Sequence, residues 1–299
     1  TVNIENNSTS TIDITGGTFK GRNPMSGDDN TDVAFVSKDS KVVEYKSGNM
    51  EVVAQNSEVT GDDVVAVYTY ADNETGDTVA TVYTEDALRA ALADKNYDTV
   101  VLGADIGNAS ETFVIDRPVT LDLNGYTLEN KNTTSGNYLL IEGGNSEAEN
   151  IKVTIRNGNI SSGDAAVIVM GYVDVVMENV SVKTDGRYGL ELYGECDQSV
   201  TAEGCTFEGD TSGVAVFGAE KTGMTAAFSA TDCTIKGGDY GVSGNGTYHL
   251  TTIDIVDSKV SSDRGTAIYH PQVGTLTISG GSEIKIEFKL DAVDFLRLP

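Results

Sequence analysis

The stretch Leu121-Asp-Leu-Asn-Gly-Tyr-Thr-Leu128 decides the fold, because its pattern recurs along the chain. Two apolar residues alternate with polar ones, a turn-forming pair follows, and a further apolar residue ends the unit. Clear copies lie at residues 12–19 and 153–160. Others begin at Val175, Val200, Phe228, Ile253 and, with an inserted residue, Leu276. The alternation predicts a strand with one apolar face, and the Asn-Gly or Gly-Gly pair predicts a bend.

A second short strand follows within most repeats, as at residues 189–193 and 213–217. Short strands that recur about every 25 residues without helices between them are typical of a solenoid, whose coils must stack to bury their apolar faces. A β-propeller blade would need about 40–45 residues, which is longer than these repeats. The sequence therefore predicts an all-β solenoid.

One helix is predicted before the stack. Thr84 is a good N-cap, and Glu85 and Asp86 place negative charge in the first turn. Residues 87–93 are strong helix formers, and the helix would cap the open apolar end of the first coil.

The 299-residue chain carries 46 acidic and 20 basic residues, a net charge of −26. Such charge argues against binding to nucleic acid or to an anionic membrane, because both would repel it. No apolar run approaches the roughly 20 residues of a membrane span. The chain begins at Thr1 without a leader, so we expect a processed secreted protein or a piece of a longer one.

The helix, the following Val100-Val-Leu102 and residues 119–128 together resemble the start of a right-handed parallel β-helix of the pectin-lyase-like type. Residues 241–246, 265–272 and 276–281 resemble segments of large repetitive surface proteins of Gram-positive gut bacteria. The resemblance covers about residues 84–284. It implies a secreted or cell-surface bacterial protein, and the group is mostly uncharacterised.

Four segments are predicted. Residues 1–56 would be the terminal coil and β cap of a preceding β-helix, and residues 57–83 a β-hairpin linker. Residues 84–284 would form the right-handed parallel β-helix. Residues 285–299 break the repeat and would form a cap or a docking tail.

The candidate binding residues lie on the second strand of each repeat. With Leu190, Leu192, Val214 and Val216 inward, the residues Met170, Tyr193, Phe217 and Tyr269 would line up outside as an apolar and aromatic strip. Aromatic rings on a flat sheet suit sugar stacking, and the nearby Glu191 and His270 could hydrogen-bond to hydroxyl groups. The strip could instead be covered by a loop, form part of the core, or contact another protein.

Glycosidase or lyase chemistry would need polar side chains on the first strand, whose outward positions are predicted to include Arg156, Glu178, Glu203, Thr231 and Asp254. Glu178 and Glu203 would be neighbours about 5 Å apart, which suits a cation or an acid with a raised pKa, although solvated surface charge is the simpler interpretation. The acidic and basic motifs of the enzymes that share the resemblance are not evident. No catalytic residue is therefore assigned, and enzymatic activity stays open.

Cysteines, histidines and acidic loops are the other candidates for chemistry. Cys205 and Cys233 fall at the same motif position in successive coils and should stack, as packed thiols or as a disulfide, whereas Cys196 has no partner. His249 and His270 have no nucleophile tied to them by sequence. No acidic loop matches a calcium motif, so no cofactor or metal ligand is assigned beyond loose Ca²⁺ binding.

The leading hypothesis is an extracellular, non-enzymatic surface or adhesin-type β-helix module that binds a carbohydrate or a host surface. One alternative is a self-assembling structural subunit that forms head-to-tail filaments through the ends of the β-helix. The other is a polysaccharide lyase or glycoside hydrolase on the same scaffold.

Overall fold

The structure is a computed structural model that describes residues 12–25, 35–70, 78–107, 111–130, 139–193, 196–217, 224–245, 250–271 and 273–287. It is a stack of coils, with a helix and an antiparallel sheet at its N-terminal end. The strands before the coils are β1 (Gly17–Lys20), β2 (Ser40–Tyr45), β3 (Asn49–Ala54), β4 (Val64–Tyr70) and β5 (Thr78–Val82). The helix α1 spans Glu85–Ala93.

Each complete coil has three faces. The first face contains β6 (Thr99–Leu102), β8 (Val119–Asp122), β15 (Gln198–Glu203), β18 (Thr225–Thr231), β21 (Leu250–Val256) and β24 (Gly274–Ser279). The second face contains β9 (Thr127–Asn130), β16 (Thr206–Gly209), β19 (Thr234–Gly237), β22 (Lys259–Ser262) and β25 (Glu283–Ile286). The long strands β11 (Ile151–Ser162) and β13 (Val173–Thr184) run through both faces, and a short 3-10 turn at Glu147–Glu149 precedes β11.

The third face is a seven-stranded parallel sheet, called here the third sheet. Its strands are β7 (Phe113–Ile115), β10 (Leu139–Glu142), β12 (Val167–Met170), β14 (Tyr188–Tyr193), β17 (Ser212–Phe217), β20 (Tyr240–Ser243) and β23 (Thr266–Tyr269). Every strand pairs in parallel with its equivalent in the next coil. The predicted right-handed parallel β-helix is therefore confirmed.

The bend between the first and second faces explains the recurring turn pair. Its residues adopt positive φ, and they are Asn124, Asn157, Asn179, Gly204, Asp232, Asp257 and Gly280. Asn, Asp and Gly tolerate this left-handed conformation better than other residues. The chain can therefore turn at the same point in each coil, and the strands before and after the bend keep their register.

The core fills the inside of the coils with residues from the alternating apolar positions. Val153 and Ile155 are fully buried, and they pair with Val175 and Met177 in the next coil. Inside the coils, Phe207 and Phe228 meet edge to face, with ring centroids 6.0 Å apart. Burial of these stacked side chains is the main favourable contribution to folding.

Helix α1 caps the first coils, as the sequence predicts. The side chain of Thr84 accepts a hydrogen bond from the backbone N–H of Ala87, and Leu88 and Leu92 are buried against the core. Arg117 donates from Nη2 to the carbonyl of Ala91 and from Nε to that of Leu92. Its positive charge therefore satisfies carbonyl groups at the C-terminal end of the helix.

The N-terminal segment packs on the β-helix. Strands β1 to β5 pair antiparallel with their neighbours, and β5 then pairs in parallel with β6. Tyr68 on β4 stacks on Tyr97 with ring centroids 5.1 Å apart, and Asn23 donates a 2.7 Å hydrogen bond to the Tyr97 hydroxyl. One hydrophobic core includes Val42 and Val52 together with the coil residues. That residues 1–56 are the end of a preceding β-helix stays a prediction, and residues 1–11 lie outside the described part.

Cys205 and Cys233 stack in successive coils, as predicted, and both are free and buried. The backbone N–H of Cys205 donates to Sγ of Cys233, and the N–H of Cys233 donates to Oγ of Ser258. Side chains at this position thus satisfy the backbone of the preceding coil. Cys196 is also buried.

The last described coil exposes residues whose equivalents are buried elsewhere. Leu276 and Ile278 pair with Ile253 and Ile255, which are fully buried, yet Leu276 is 38% and Ile278 is 44% exposed. Ile284 on β25 is 40% exposed in the same way. Residues 288–299, most of the predicted cap or docking tail, lie outside the described part of the chain.

Candidate binding surface

The outer face of the third sheet carries the predicted aromatic strip, but with a different register for Tyr269. Tyr193 and Phe217 are paired neighbours, as the sequence indicates. Tyr269 instead pairs with Ser243, and Ser243 pairs with Ala215 rather than Phe217. The alignment of Tyr269 with Tyr193 and Phe217 was therefore wrong.

A glycine explains the error. The sequence alignment equated Gly265 with Gly189 and Gly213, which lie inside their strands next to paired residues. Gly265 lies in the corner before β23, where a Cβ atom would be 2.3 Å from the carbonyl oxygen of Asp239. Ala267 occupies the place of the strand glycine, since its neighbours on β23 pair with the residues around Gly241.

Two tyrosines that the sequence analysis did not select complete the surface. Tyr188 and Phe217 lie on neighbouring strands, and their rings meet edge-on with centroids 5.6 Å apart. The ring of Tyr240 packs on that of Tyr269 in a different arrangement, with centroids 5.5 Å apart and an angle of 30° between the ring planes. Both tyrosines directly precede a strand glycine, which is the signal that could have identified them. The residues Tyr188, Tyr193, Phe217, Tyr240 and Tyr269 are called the aromatic surface below.

Glu191, which the sequence predicts to lie near the rings on the outer side of the sheet, is only 5% exposed. It lies between Ile168 and Ala215 in the register of the sheet, both of which are buried. The contact between the Tyr188 and Phe217 rings spans this region, since Tyr188 lies before Glu191 on β14 and Phe217 lies after Ala215 on β17. Burial raises the pKa of Glu191 to about 7, and the positive charge of Arg187 opposes this rise.

Arg187 is held away from Glu191 by a closer partner. Its Nε and Nη2 atoms donate to the two carboxylate oxygens of Asp164, over 2.8 and 3.0 Å. This fork-like pair lowers the pKa of Asp164 through its hydrogen bonds. The guanidinium also stacks over the Tyr188 ring, 5.3 Å from its centroid. The aromatic surface therefore has a paired charge at one edge and a carboxyl group beneath its rings.

His270 does not join Glu191, contrary to the prediction that both would face a ligand. Its Nε2 atom lies 2.6 Å from Oγ1 of Thr251, a fully buried residue. Partial burial lowers the pKa of His270, so its neutral form is favoured. His270 follows the end of β23, which is three strands away from β14 and Glu191 in the third sheet.

The first face confirms the five predicted outward positions, none of which is buried. Arg156, Glu178, Glu203 and Thr231 are successive neighbours across the sheet, as predicted for Glu178 and Glu203, and Arg156 forms a 2.8 Å ion pair with Asp122. Asp254 lies two residues further back on its strand, because it pairs with Ser229 whereas Val256 pairs with Thr231. Among the described residues, no three His, Cys, Asp or Glu side chains are arranged to hold a metal ion.

Part of the chain is similar to known proteins. Residues 79–215, just under half of the chain, match the family described as "Putative pectate lyase-like adhesive domain". No curated protein matches the sequence. The solved structure "L. reuteri 53608 SRRP" is similar at 13% identity and a TM-score of 0.37, over 70% of this chain and 99% of that one.

The matched residues include helix α1 and the coils of the parallel β-helix up to β17, and the predicted resemblance is confirmed over this segment. No helix in the described residues is long and apolar enough to span a bilayer.

Proposed function

We propose that this chain is a non-enzymatic adhesin module of a bacterial cell surface that binds carbohydrate on its aromatic surface. The observation that carries the proposal is the set of rings on one outer face of the solenoid. Tyr193 is 44% exposed on β14, which is paired in parallel on both sides, and Tyr269 is 46% exposed on the edge strand β23, which is paired in parallel with β20. Such rings offer flat apolar contacts to sugar rings at little cost in conformational entropy.

The solenoid supports this role through its rigidity. Successive coils hold neighbouring rings at the spacing of adjacent strands, about 4.8 Å, so that one extended glycan chain can contact several coils. The adhesive family match points in the same direction. A secreted or surface location fits the matched family and the strongly acidic composition.

The double variant Tyr193→Ala/Tyr269→Ala is expected to lose roughly tenfold or more in glycan affinity. Each lost ring removes about 0.5–1.5 kcal/mol of stacking, and tenfold corresponds to about 1.4 kcal/mol. A glycan array would identify a ligand of the wild type, and calorimetry would compare the variants. Val176→Ala is the control, because Val176 is exposed on the first face instead. Unchanged affinity in the double variant would refute the aromatic surface as the binding site.

A second candidate function is self-assembly, which the open C-terminal coil favours. Leu276, Ile278 and Ile284 are exposed at core positions, and strands β24 and β25 offer an unpaired edge within the described residues. Substituting Ile278 and Ile284 by Lys is expected to abolish concentration-dependent association in sedimentation velocity. A wild type that stays monomeric at high concentration would rule this candidate out.

The remaining alternative from the sequence analysis is that the β-helix is a polysaccharide lyase or a glycoside hydrolase. Incubation of the protein with neutral and acidic polysaccharides, with and without Ca²⁺, tests for new reducing ends or unsaturated products. Product formation would contradict the non-enzymatic proposal.

A further inference from the structure

We propose that Glu191 and the rings around it bind an ammonium group, so that the glycan recognised is an amino sugar with a free amine. This inference rests on the proposed carbohydrate binding and specifies its ligand. The site comprises Glu191, Tyr188, Phe217 and Tyr193, all on strands β14 and β17 of the third sheet.

The first step is that Glu191 is largely buried and no hydrogen bond or ion pair joins its carboxyl group to another described residue, although the carboxyl oxygens keep some contact with solvent. It is 5% exposed, and its neighbours across the sheet are the apolar side chains of Ile168 and Ala215. A buried carboxylate that lacks donors is costly to maintain in a folded protein. A ligand that brings donors to this carboxyl group would remove that cost.

The second step is that the nearest basic group already has a partner. Arg187 forms its two hydrogen bonds with Asp164, so this pair is close to neutral as a unit. The other titratable neighbour is Tyr188, whose pKa is raised by burial and by Glu191. The ionised site thus retains one uncompensated negative charge, that of Glu191.

The third step is that the rings favour a cation over a neutral or acidic group. An ammonium ion is attracted to the faces of aromatic rings, and the attraction grows when water is excluded. Phe217 is packed against Tyr188, and Tyr193 is paired with Phe217 across the strands. An acidic sugar would be repelled both by Glu191 and by the net charge of −26.

Access to the carboxyl group requires only side-chain movement. The rings of Tyr188 and Phe217 meet edge-on from different strands, and Tyr193, which pairs with Phe217, is exposed. Rotation of the half-buried Phe217 would open a path to Glu191 without any change in the backbone. Rotamer changes of this kind are common when ligands and partners bind.

The test compares two oligosaccharides that have the same sugar chain but differ in charge. A glucosamine tetramer carries free amines, whereas an N-acetylglucosamine tetramer does not. Calorimetry at pH 7 should show at least tenfold tighter binding of the glucosamine tetramer to the wild type. The isosteric variant Glu191→Gln should lose this preference while retaining its affinity for the acetylated tetramer.

Two controls keep the result specific. Glu178→Gln removes a carboxylate from the first face and should preserve the preference, which excludes general attraction to an acidic protein. Glu191→Gln removes a buried charge, so its Tm should be unchanged or higher. Phe217→Ala supplies a second variant, which should weaken binding of the glucosamine tetramer more than that of the acetylated one.

Equal affinity of the wild type for both tetramers, or a preference that survives Glu191→Gln, would overturn the amino-sugar inference. Either outcome would leave carbohydrate binding itself intact, since that is decided by the array and the Tyr193→Ala/Tyr269→Ala variant. Failure of the wild type to bind the glucosamine tetramer would also overturn the inference.

Discussion

Replacing Phe207 by Ala is expected to lower the free energy of unfolding by about 3–5 kcal/mol. Phe207 is fully buried inside the stack, between Val182 and Ile235 in the register of the second face. It packs edge-to-face on Phe228, so the substitution removes a large apolar side chain and an aromatic contact together. The rigid backbone pairing on both sides prevents the coil from collapsing into the cavity. Urea denaturation followed by far-ultraviolet circular dichroism would measure the loss.

Phe217→Ala is the matched control, because it makes the same chemical change on the outer face of the third sheet. Phe217 is half-buried and contacts Tyr188, so its loss should cost less than half as much. Equal losses at the two positions would contradict the inward and outward assignment of these residues. The comparison therefore tests the register of two sheets at once.

The coil and its bend could be predicted from sequence because both depend on local chemistry. Alternating apolar residues define the inward face of a strand, and a positive φ at the bend restricts that position to residues such as Asn157 or Asp232. Helix α1 could be predicted for the same reason, since the N-cap Thr84 and the acidic residues of the first turn are local signals. The stacking of Cys205 over Cys233 followed directly from the repeat.

The surface of the third sheet could not be predicted to the same degree. The position of Tyr269 depended on whether Gly265 lies in the strand or in the corner, and a glycine suits both. The burial of Glu191 depended on rings from two strands that meet across the sheet, Tyr188 and Phe217. Tyr188 and Phe217 are 29 residues apart, so the alternation of residues within either strand does not predict that their rings meet.

Some of the acidic residues that give the chain its negative net charge can be placed in the structure. Several acidic side chains form ion pairs at the corners between the faces, as Asp210 and Asp239 do with Arg264. Exposed pairs of this kind add little stability because solvent screens them. Glu191 differs from these exposed acidic residues, because it is buried near the aromatic surface and its pKa is raised. The acidity as a whole thus repels anions, and one carboxyl group is placed to select a cation.

Replacing Gly237 by Ala is expected to destabilise the protein by about 3 kcal/mol or more. A Cβ atom at Gly237 would lie 1.6 Å from the carbonyl oxygen of Tyr240 and 3.0 Å from the backbone nitrogen of Gly213. Both contacts are with the backbone, which is held by parallel pairing in the neighbouring coils. The corner between the second and third faces must therefore open, and it would disturb the strand β20 that carries Tyr240.

Gly107→Ala is the control for this substitution. At Gly107 the nearest atom to a new Cβ would be the flexible carboxylate end of Glu129, 3.4 Å away, so little change in stability is expected. Thermal unfolding should show a Tm for Gly237→Ala lower by on the order of 5–10 °C, and a Tm for Gly107→Ala close to that of the wild type. A wild-type Tm for Gly237→Ala would mean that the corner is looser than its backbone contacts require. The aromatic surface would then rest on a more adaptable sheet, because Tyr240 follows that corner directly.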